Sequence, residues 1–472
     1  MLFNSYQFLF AFLPITLVVF LLLGRASRDL ALGWLIVASL VFYAWWRPIN
    51  VPIIGVSLAI NFTLARLLQR LGADERRSRL RLIVLLAGIA FNICFLGYFK
   101  YTNFIVSSIN DIAGTEFVLT HIVLPLGISF ITFQKIAFLV DVQAGRVESF
   151  TLRDYLLFVL FFPKLLAGPI LKYHEMKSQI EAPPVILWSD LGVGFLRFAR
   201  GIGRKLLIAD PLGTFVSQIF AKDPHGLGTG YAWLGLACFT VQIYFDFAGY
   251  TDMAIGLART IGFRLNENFN CPYVSRSLTE FWRRWHISLT TWIRDYLYVP
   301  LGGNRHGETR TYINLWICFL ASGLWHGAAW NFVLWGAYNG LFLTLDRLFL
   351  RKALEKSGTA IATIVTLLIV MVGWAFFRCE HTANIMPFLG ELFRFEPAAT
   401  ALEIPPEVPL ALLIGTLISL LPALPFYPRL VEGFRHQAWL RWPAVSTLTV
   451  IYVLALARAF AVPFQPFIYF RF

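Results

Sequence analysis

Apolar runs long enough to cross a bilayer follow one another through almost the whole chain. The run Tyr6 to Leu23 holds no charged residue, and others fall at 30–46, 51–68, 82–99, 121–140 and 154–170, then at 230–262, 311–348, 359–377, 407–427 and 443–463. A helix needs roughly 20 apolar residues to span the hydrocarbon. The runs 230–262 and 311–348 exceed one untilted crossing, so each is expected to be a kinked helix, two shorter crossings, or one crossing with an interfacial arm. Counted in these ways the chain carries about 10–12 spans. No loop between them is long enough for a soluble domain. The expected fold class is therefore all-α, a polytopic integral membrane protein, with residues 1–472 forming a single membrane-embedded domain. Composition agrees: 58% of the 472 residues are hydrophobic and 14% charged, against roughly 45–50% and about 25% in soluble proteins. A mean hydropathy of +0.65 excludes both a soluble globule and a disordered chain.

The net charge of +13 comes from Arg and Lys in short loops, the pattern of the positive-inside rule rather than of a nucleic-acid binder. No basic segment precedes the first apolar run and no small-residue cleavage site follows it, so a retained first helix is expected. Arg25 and Arg28 follow that run. The loop 70–81, with Arg70, Arg76, Arg77, Arg79 and Arg81, lies two crossings later, which puts both basic loops on the cytoplasmic side. The five cysteines, Cys94, Cys238, Cys271, Cys318 and Cys379, have no C-x-x-C spacing. Neither a disulfide framework nor a metal site is expected. The 15 Trp within a 16% aromatic content suit belts at two membrane interfaces.

Three stretches break the simple pattern. Pro163, Lys164, Gly168 and Pro169 interrupt 154–170, and a re-entrant segment is expected there, because broken backbone at membrane depth needs protein or water around it. In 278–297 the apolar residues Leu278, Phe281, Trp282, Trp285, Leu289, Trp292, Ile293, Tyr296 and Leu297 repeat at three and four. That spacing predicts one amphipathic helix lying in the interface. Arg197, Arg200 and Arg204 share a helical face, with Lys205 beside them. That face fits either plain cytoplasmic anchoring or contact with a donor's phosphates.

Ionisable side chains inside apolar runs are costly and point to function. His326 stands among Ala321, Ser322, Gly323, Gly327, Ala328 and Ala329. Small residues of this kind let helices approach closely or leave room for a substrate. His286 sits beside the apolar stripe of 278–297. The other six histidines, His121, His174, His225, His306, His381 and His436, lie at a span end or in polar loops and are read as structural. Asp246 and Asp252 are acids within a span and need partners. Lys135 and Lys164 are the basic residues in other spans, and an ion pair of Asp246 with one of them is expected in preference to the functional reading, a proton relay. No G-x-S-x-G, H-E-x-x-H or G-K-[ST] phosphate loop occurs. A channel or secondary transporter would also use intramembrane His, Asp and Lys, but the matching broken repeats common in transporters are not found.

The run Arg283-Arg-Trp-His-Ile-Ser-Leu-Thr-Thr-Trp-Ile-Arg-Asp-Tyr-Leu-Tyr298, then Pro300-Leu-Gly-Gly-Asn-Arg305 and Leu324-Trp-His-Gly327, resembles the membrane-bound O-acyltransferase family. So do Leu2-Phe-Asn-Ser-Tyr-Gln-Phe-Leu-Phe10, Pro125-Leu-Gly-Ile-Ser-Phe130, Tyr244-Phe-Asp-Phe-Ala-Gly-Tyr250 and Phe467-Ile-Tyr-Phe470, so the likeness runs the length of the chain. The resemblance implies a helical core around a passage through the bacterial cytoplasmic membrane, with His326 and His286 as the catalytic pair. It implies an acetyl or other acyl group taken from a cytoplasmic thioester, acetyl-CoA or an equivalent, and no bound cofactor. The acceptor lies outside: a polysaccharide such as alginate, peptidoglycan, or teichoic acid taking D-alanine. A secreted acetyltransferase partner is implied too. The residues themselves fit: attack of a hydroxyl on a thioester needs a base, and a buried imidazole is neutral and able to take a proton.

The basic loop 70–81 is expected on the cytoplasmic side. Cysteine at Ser78, in a background without the native cysteines, should resist a membrane-impermeant thiol reagent in intact cells. Ready labelling would reverse the orientation.

Overall fold

The computed structural model describes residues 1–72, 75–119, 122–181, 188–399, 401–436, 438–462 and 465–468. Among them every regular element is a helix and none is a strand. Six helices are long and apolar enough to cross a membrane: Gln7–Ala26, Asn50–Leu71, Ser78–Ala113, Thr229–Thr260, Thr359–Arg378 and Trp442–Ala461. A seventh candidate is the pair Glu407–Ala423 and Tyr427–Gly433, bent by 93°. Shorter helices, such as Arg28–Ala44 and Ile128–Gln143, account for other apolar runs. The chain divides into two compact units, Met1–Phe195 with Met253–Asn266, and Leu196–Asp252 with Glu267–Phe472.

In the first unit, the helix Ile128–Gln143 is buried along most of its length, its polar Gln134, Lys135 and Asp141 included. It packs against Asn50–Leu71 and Ser78–Leu96, and Ile131, Phe138 and Leu139 are fully buried. The two flanking helices are joined by a reciprocal amide pair, Asn61 with Asn92, at 3.3 and 2.6 Å. Paired amides hold spans together where no water competes. Thr151 and Asp154 form a capping box that starts the helix Leu152–Leu160. That helix then stops, and 161–172 runs on without regular structure, almost wholly buried. Its backbone is satisfied from within: Phe162 N–H donates to Ser39 Oγ at 3.1 Å and Gly168 N–H to the Lys164 carbonyl at 3.2 Å. The break expected at Pro163 is present, and protein supplies its hydrogen bonds.

The run 230–262 becomes one unbroken helix of 32 residues, Thr229–Thr260, about 48 Å long at 1.5 Å per residue. The run 311–348 becomes two helices, Gly307–His326 and Trp330–Leu345, separated by Gly327-Ala-Ala329 in extended conformation. These two pack against each other, and Thr359–Arg378 packs against the second. The stretch 278–297 departs from the single helix its spacing predicts. It forms Leu278–Arg284 and Ile287–Ile293, broken at Trp285–His286. Two side-chain caps, one from a hydroxyl and one from a carboxylate, hold the start of the first piece. Ser277 Oγ accepts from Glu280 N–H at 3.1 Å. Asp346 accepts from Leu278 N–H, Thr279 N–H and Thr279 Oγ–H at 3.3, 3.2 and 2.6 Å.

The small residues around His326 serve close packing rather than open space. A methyl on Gly323 would lie 2.2 Å from the Phe332 carbonyl oxygen, and one on Gly327 would lie 2.0 Å from the Phe332 ring. The room for a substrate expected from these glycines is occupied by Phe332. Gly323→Ala should therefore cost about 1–3 kcal/mol, because the obstructing atom is backbone and cannot swing aside. The check is a lowered apparent Tm of purified protein in detergent; an unchanged Tm would mean that these two helices are free to separate.

Candidate active site

His286 lies at the helix break, in left-handed backbone conformation at φ 43°, ψ 54°. Side chains rarely adopt that region, so neighbouring bonds must hold it. Ile287 N–H donates to the Asn268 carbonyl at 2.9 Å, and Asn270 N–H to the Arg284 carbonyl at 2.9 Å. The Asn268 side chain reaches the same segment: its Oδ1 lies 3.1 Å from His286 Nδ1 and accepts from Ser288 N–H at 3.1 Å and Ser288 Oγ–H at 2.8 Å. The imidazole is 2% exposed. Burial pushes its pKa down to about 3, so the ring is neutral at physiological pH.

His326 is the last residue of Gly307–His326, immediately before the extended Gly327. It is buried. Trp325 connects the two histidines: its ring centroid is 6.0 Å from that of His286 and 4.9 Å from that of His326. Trp335 meets His326 edge-on at 5.1 Å and 88°, and Phe377 lies at 5.3 Å. Phe247 meets His286 edge-on at 4.6 Å. The sequence-derived pair thus shares one aromatic enclosure in the second unit. Of the structural histidines, His174 Nδ1 faces Asp141 at 3.2 Å, and His121 lies outside the described residues.

The cations and acids pair differently from expectation. Asp246 does not pair with Lys164 or Lys135. Lys205 Nζ lies 2.7 Å from Asp246 and 2.7 Å from Asp210. Lys164 Nζ donates to Gln134 Oε1 at 2.6 Å, and Lys135 Nζ donates to Ser57 Oγ. The reason is helical phase: Lys205 extends the Arg197/Arg200/Arg204 face, and that face meets the acids of Thr229–Thr260. Asp252, 3% exposed, accepts from Arg197 Nε at 2.8 Å, from Arg200 at 2.9 and 2.8 Å, and from Arg204 Nη1 at 2.7 Å. Arg197 also forks onto Glu267 at 2.7 and 2.5 Å. Three guanidiniums and two carboxylates leave one positive charge, and the Arg200 side chain is 42% exposed. Burial works against the Lys205 charge, but its two carboxylates outweigh that and hold its pKa above the ordinary value. Burial pushes the Asp210 carboxyl up to about 6.

The sequence reading missed Asn268 and Trp325. Trp325 was visible as part of the Leu324-Trp-His-Gly327 motif. Asn268 carried no periodic signal, because it acts from an irregular segment.

Among the described residues every regular element is a helix, several are of span length, and two buried histidines share one aromatic enclosure: the architecture is that of a polytopic membrane protein. Residues 143–379, which include both histidines and the arginine face, match the membrane-bound O-acyltransferase family. The chain is 42% identical over 401 residues to a probable alginate O-acetylase AlgI of Pseudomonas aeruginosa, covering 84% of this chain and 75% of that one. It is 38% identical to the Pseudomonas putida protein of the same name, over 100% of both chains. It is 35% identical over 421 residues to a peptidoglycan O-acetyltransferase of Helicobacter pylori, covering 82% and 79%. The chain belongs to the membrane-bound O-acyltransferase family, and it is a multi-pass membrane acyltransferase.

Lys205→Met should be strongly destabilising. It removes the cation between two buried carboxylates, and breaking such a pair from one side costs about 3–5 kcal/mol. The apparent Tm in detergent should fall sharply and recover in part in Lys205→Met/Asp246→Asn. A single variant as stable as wild type would show that water reaches these carboxylates.

Proposed function

We propose that the protein takes an acetyl group from a thioester donor on the cytoplasmic side of the bacterial inner membrane and passes it outward for O-acetylation of an extracellular or periplasmic polysaccharide of the alginate class. The observation that carries this reading is the pair of buried imidazoles sharing Trp325. It is supported by the alginate O-acetylases, which align with 75% and 100% of their own lengths. The acceptor hydroxyl attacks the thioester carbonyl carbon, forming the new C–O bond. His326 takes the hydroxyl proton as general base and returns it to the departing thiolate as the C–S bond breaks. The thioester is already activated, so the step needs neither metal nor ATP. His286 orients a substrate beside it. The aromatic enclosure keeps water from competing as acceptor. The donor's phosphates dock on the arginine face, chiefly at Arg200, where the residual positive charge meets solvent. A separate acetyltransferase outside the membrane completes delivery to the polymer.

His326→Ala should cut acyl transfer by about 10²–10⁴-fold while the protein still inserts and purifies normally. His286→Ala should impair turnover less. Thiol release and acetyl transfer from acetyl-CoA by purified variants measure this, and near-normal turnover in His326→Ala would sink the mechanism. Replacing all three arginines would strand Asp252 without a cation, so the informative change is Arg200→Gln, which leaves Arg197 and Arg204 on that carboxylate. It should raise the donor KM more than it lowers kcat. An unchanged KM would leave the arginines with Asp252 alone.

A further inference from the structure

We infer that Asn268 is a positioning residue that fixes His286 as the Nδ1–H tautomer, so that the ring offers Nε2 to substrate as a hydrogen-bond acceptor. The inference rests on the transferase reading for its purpose but on hydrogen-bond geometry for its content. An amide side chain can face either way, and its orientation is set by what it meets. Here Ser288 N–H points at the Asn268 atom assigned as Oδ1, 3.1 Å away. A backbone N–H can only donate, so that atom is the oxygen. Ser288 Oγ–H donates to it as well, at 2.8 Å. The flipped amide would set two donors against each other. The orientation therefore holds although it leaves Asn268 Nδ2 without a partner among the described residues.

An oxygen acceptor 3.1 Å from His286 Nδ1 requires the proton on Nδ1. A buried neutral imidazole carries one proton, so Nε2 keeps its lone pair. The consequence is chemical. With Nε2 unprotonated, His286 cannot polarise a thioester carbonyl by donating to it. It can accept from an O–H or N–H of a bound substrate, and so orient that substrate toward His326. Asn268 also fixes where the ring stands, because its main-chain carbonyl accepts from Ile287 N–H at 2.9 Å and Phe247 closes the ring's flank at 4.6 Å. One residue, 0% exposed, thus sets both the place and the proton of His286.

The test uses full-length protein in nanodiscs with ¹⁵N-labelled histidine, His286 being assigned by difference from His286→Gln. Wild type should show a protonated Nδ1 and an unprotonated Nε2 at neutral pH. A protonated Nε2 in wild type would overturn the proposal without any variant. Asn268→Leu should lose the Nδ1–H signature and lower kcat by about 10–100-fold, as loss of a histidine's orienting partner does, with donor KM little changed. Asn268→Asp should restore both, because a carboxylate oxygen accepts the same three hydrogen bonds. Wild-type turnover in Asn268→Leu, or an unchanged His286 tautomer in it, would also refute the role. These outcomes are separate from the activity of His326→Ala: an active His326→Ala removes the transferase mechanism, whereas an altered tautomer with His326→Ala inactive removes only the role of Asn268.

Discussion

Asp246 and Asp252 stand six residues apart on a helix apolar enough to cross a membrane, and both are buried. An isolated carboxylate there costs several kcal/mol, so each must find a cation that arrives with it. One segment supplies them all: Arg197, Arg200 and Arg204 to Asp252, and Lys205 to Asp246. This pairing fixes the phase of that segment against Thr229–Thr260, since a helix offers these four cations together only on one face. The same carboxylate at 246 accepts Ile468 N–H at 2.8 Å, and Phe467 stacks on Tyr250 at 4.9 Å and packs on Phe247 at 5.5 Å. Phe247 in turn flanks His286. The ion pairs and the histidine therefore belong to one packed assembly.

Both histidines occupy places where a helix stops. His326 ends Gly307–His326, and His286 stands in the break before Ile287–Ile293. In the middle of a helix a side chain lies back over the preceding turn and between its neighbours. At a break the chain turns away, and the side chain stands out from the element that carries it. The cost is backbone that no longer bonds to itself, and at membrane depth that backbone has to be satisfied by protein. At His286 the carbonyls of Asn268 and Arg284 are part of the answer. At His326 the Gly327 N–H donates back to the Gly323 carbonyl at 3.3 Å.

Hydropathy made the fold class legible, because span length and apolarity are local properties of the chain. The two histidines were legible for the same reason: an ionisable group in an apolar setting is visible without knowing what it touches. The interruption at Pro163 could be read from backbone chemistry alone. What failed was everything that depends on a partner distant in sequence. The three-and-four spacing of 278–297 predicts one helix and contains no sign of the break at His286, because the backbone partners at the break, Asn268 and Asn270, come from another segment. The acids were recognised as needing cations, yet Lys135 and Lys164 are served by Ser57 and Gln134, and the true partners came from the arginine face. The glycines near His326 fit either open space or close packing, and only the position of Phe332 decides between them.

Burial makes the His286 imidazole a weak base. A ring with its pKa pushed down to about 3 resists holding a full proton at neutral pH, at roughly 1.4 kcal/mol for each unit of separation. Over that gap the penalty reaches several kcal/mol, comparable to all that general-base catalysis supplies. His286 is therefore poorly suited to carry the proton of the attacking hydroxyl, and well suited to remain neutral while it holds a substrate in place. Its hydrogen bond to Asn268 points the same way, since a neutral amide oxygen stabilises an imidazolium far less than a carboxylate would. Asn268, Phe247 and Trp325 pack about the His286 ring, and these three carry no negative charge. In the proposed mechanism this leaves proton transfer to His326 and substrate positioning to His286.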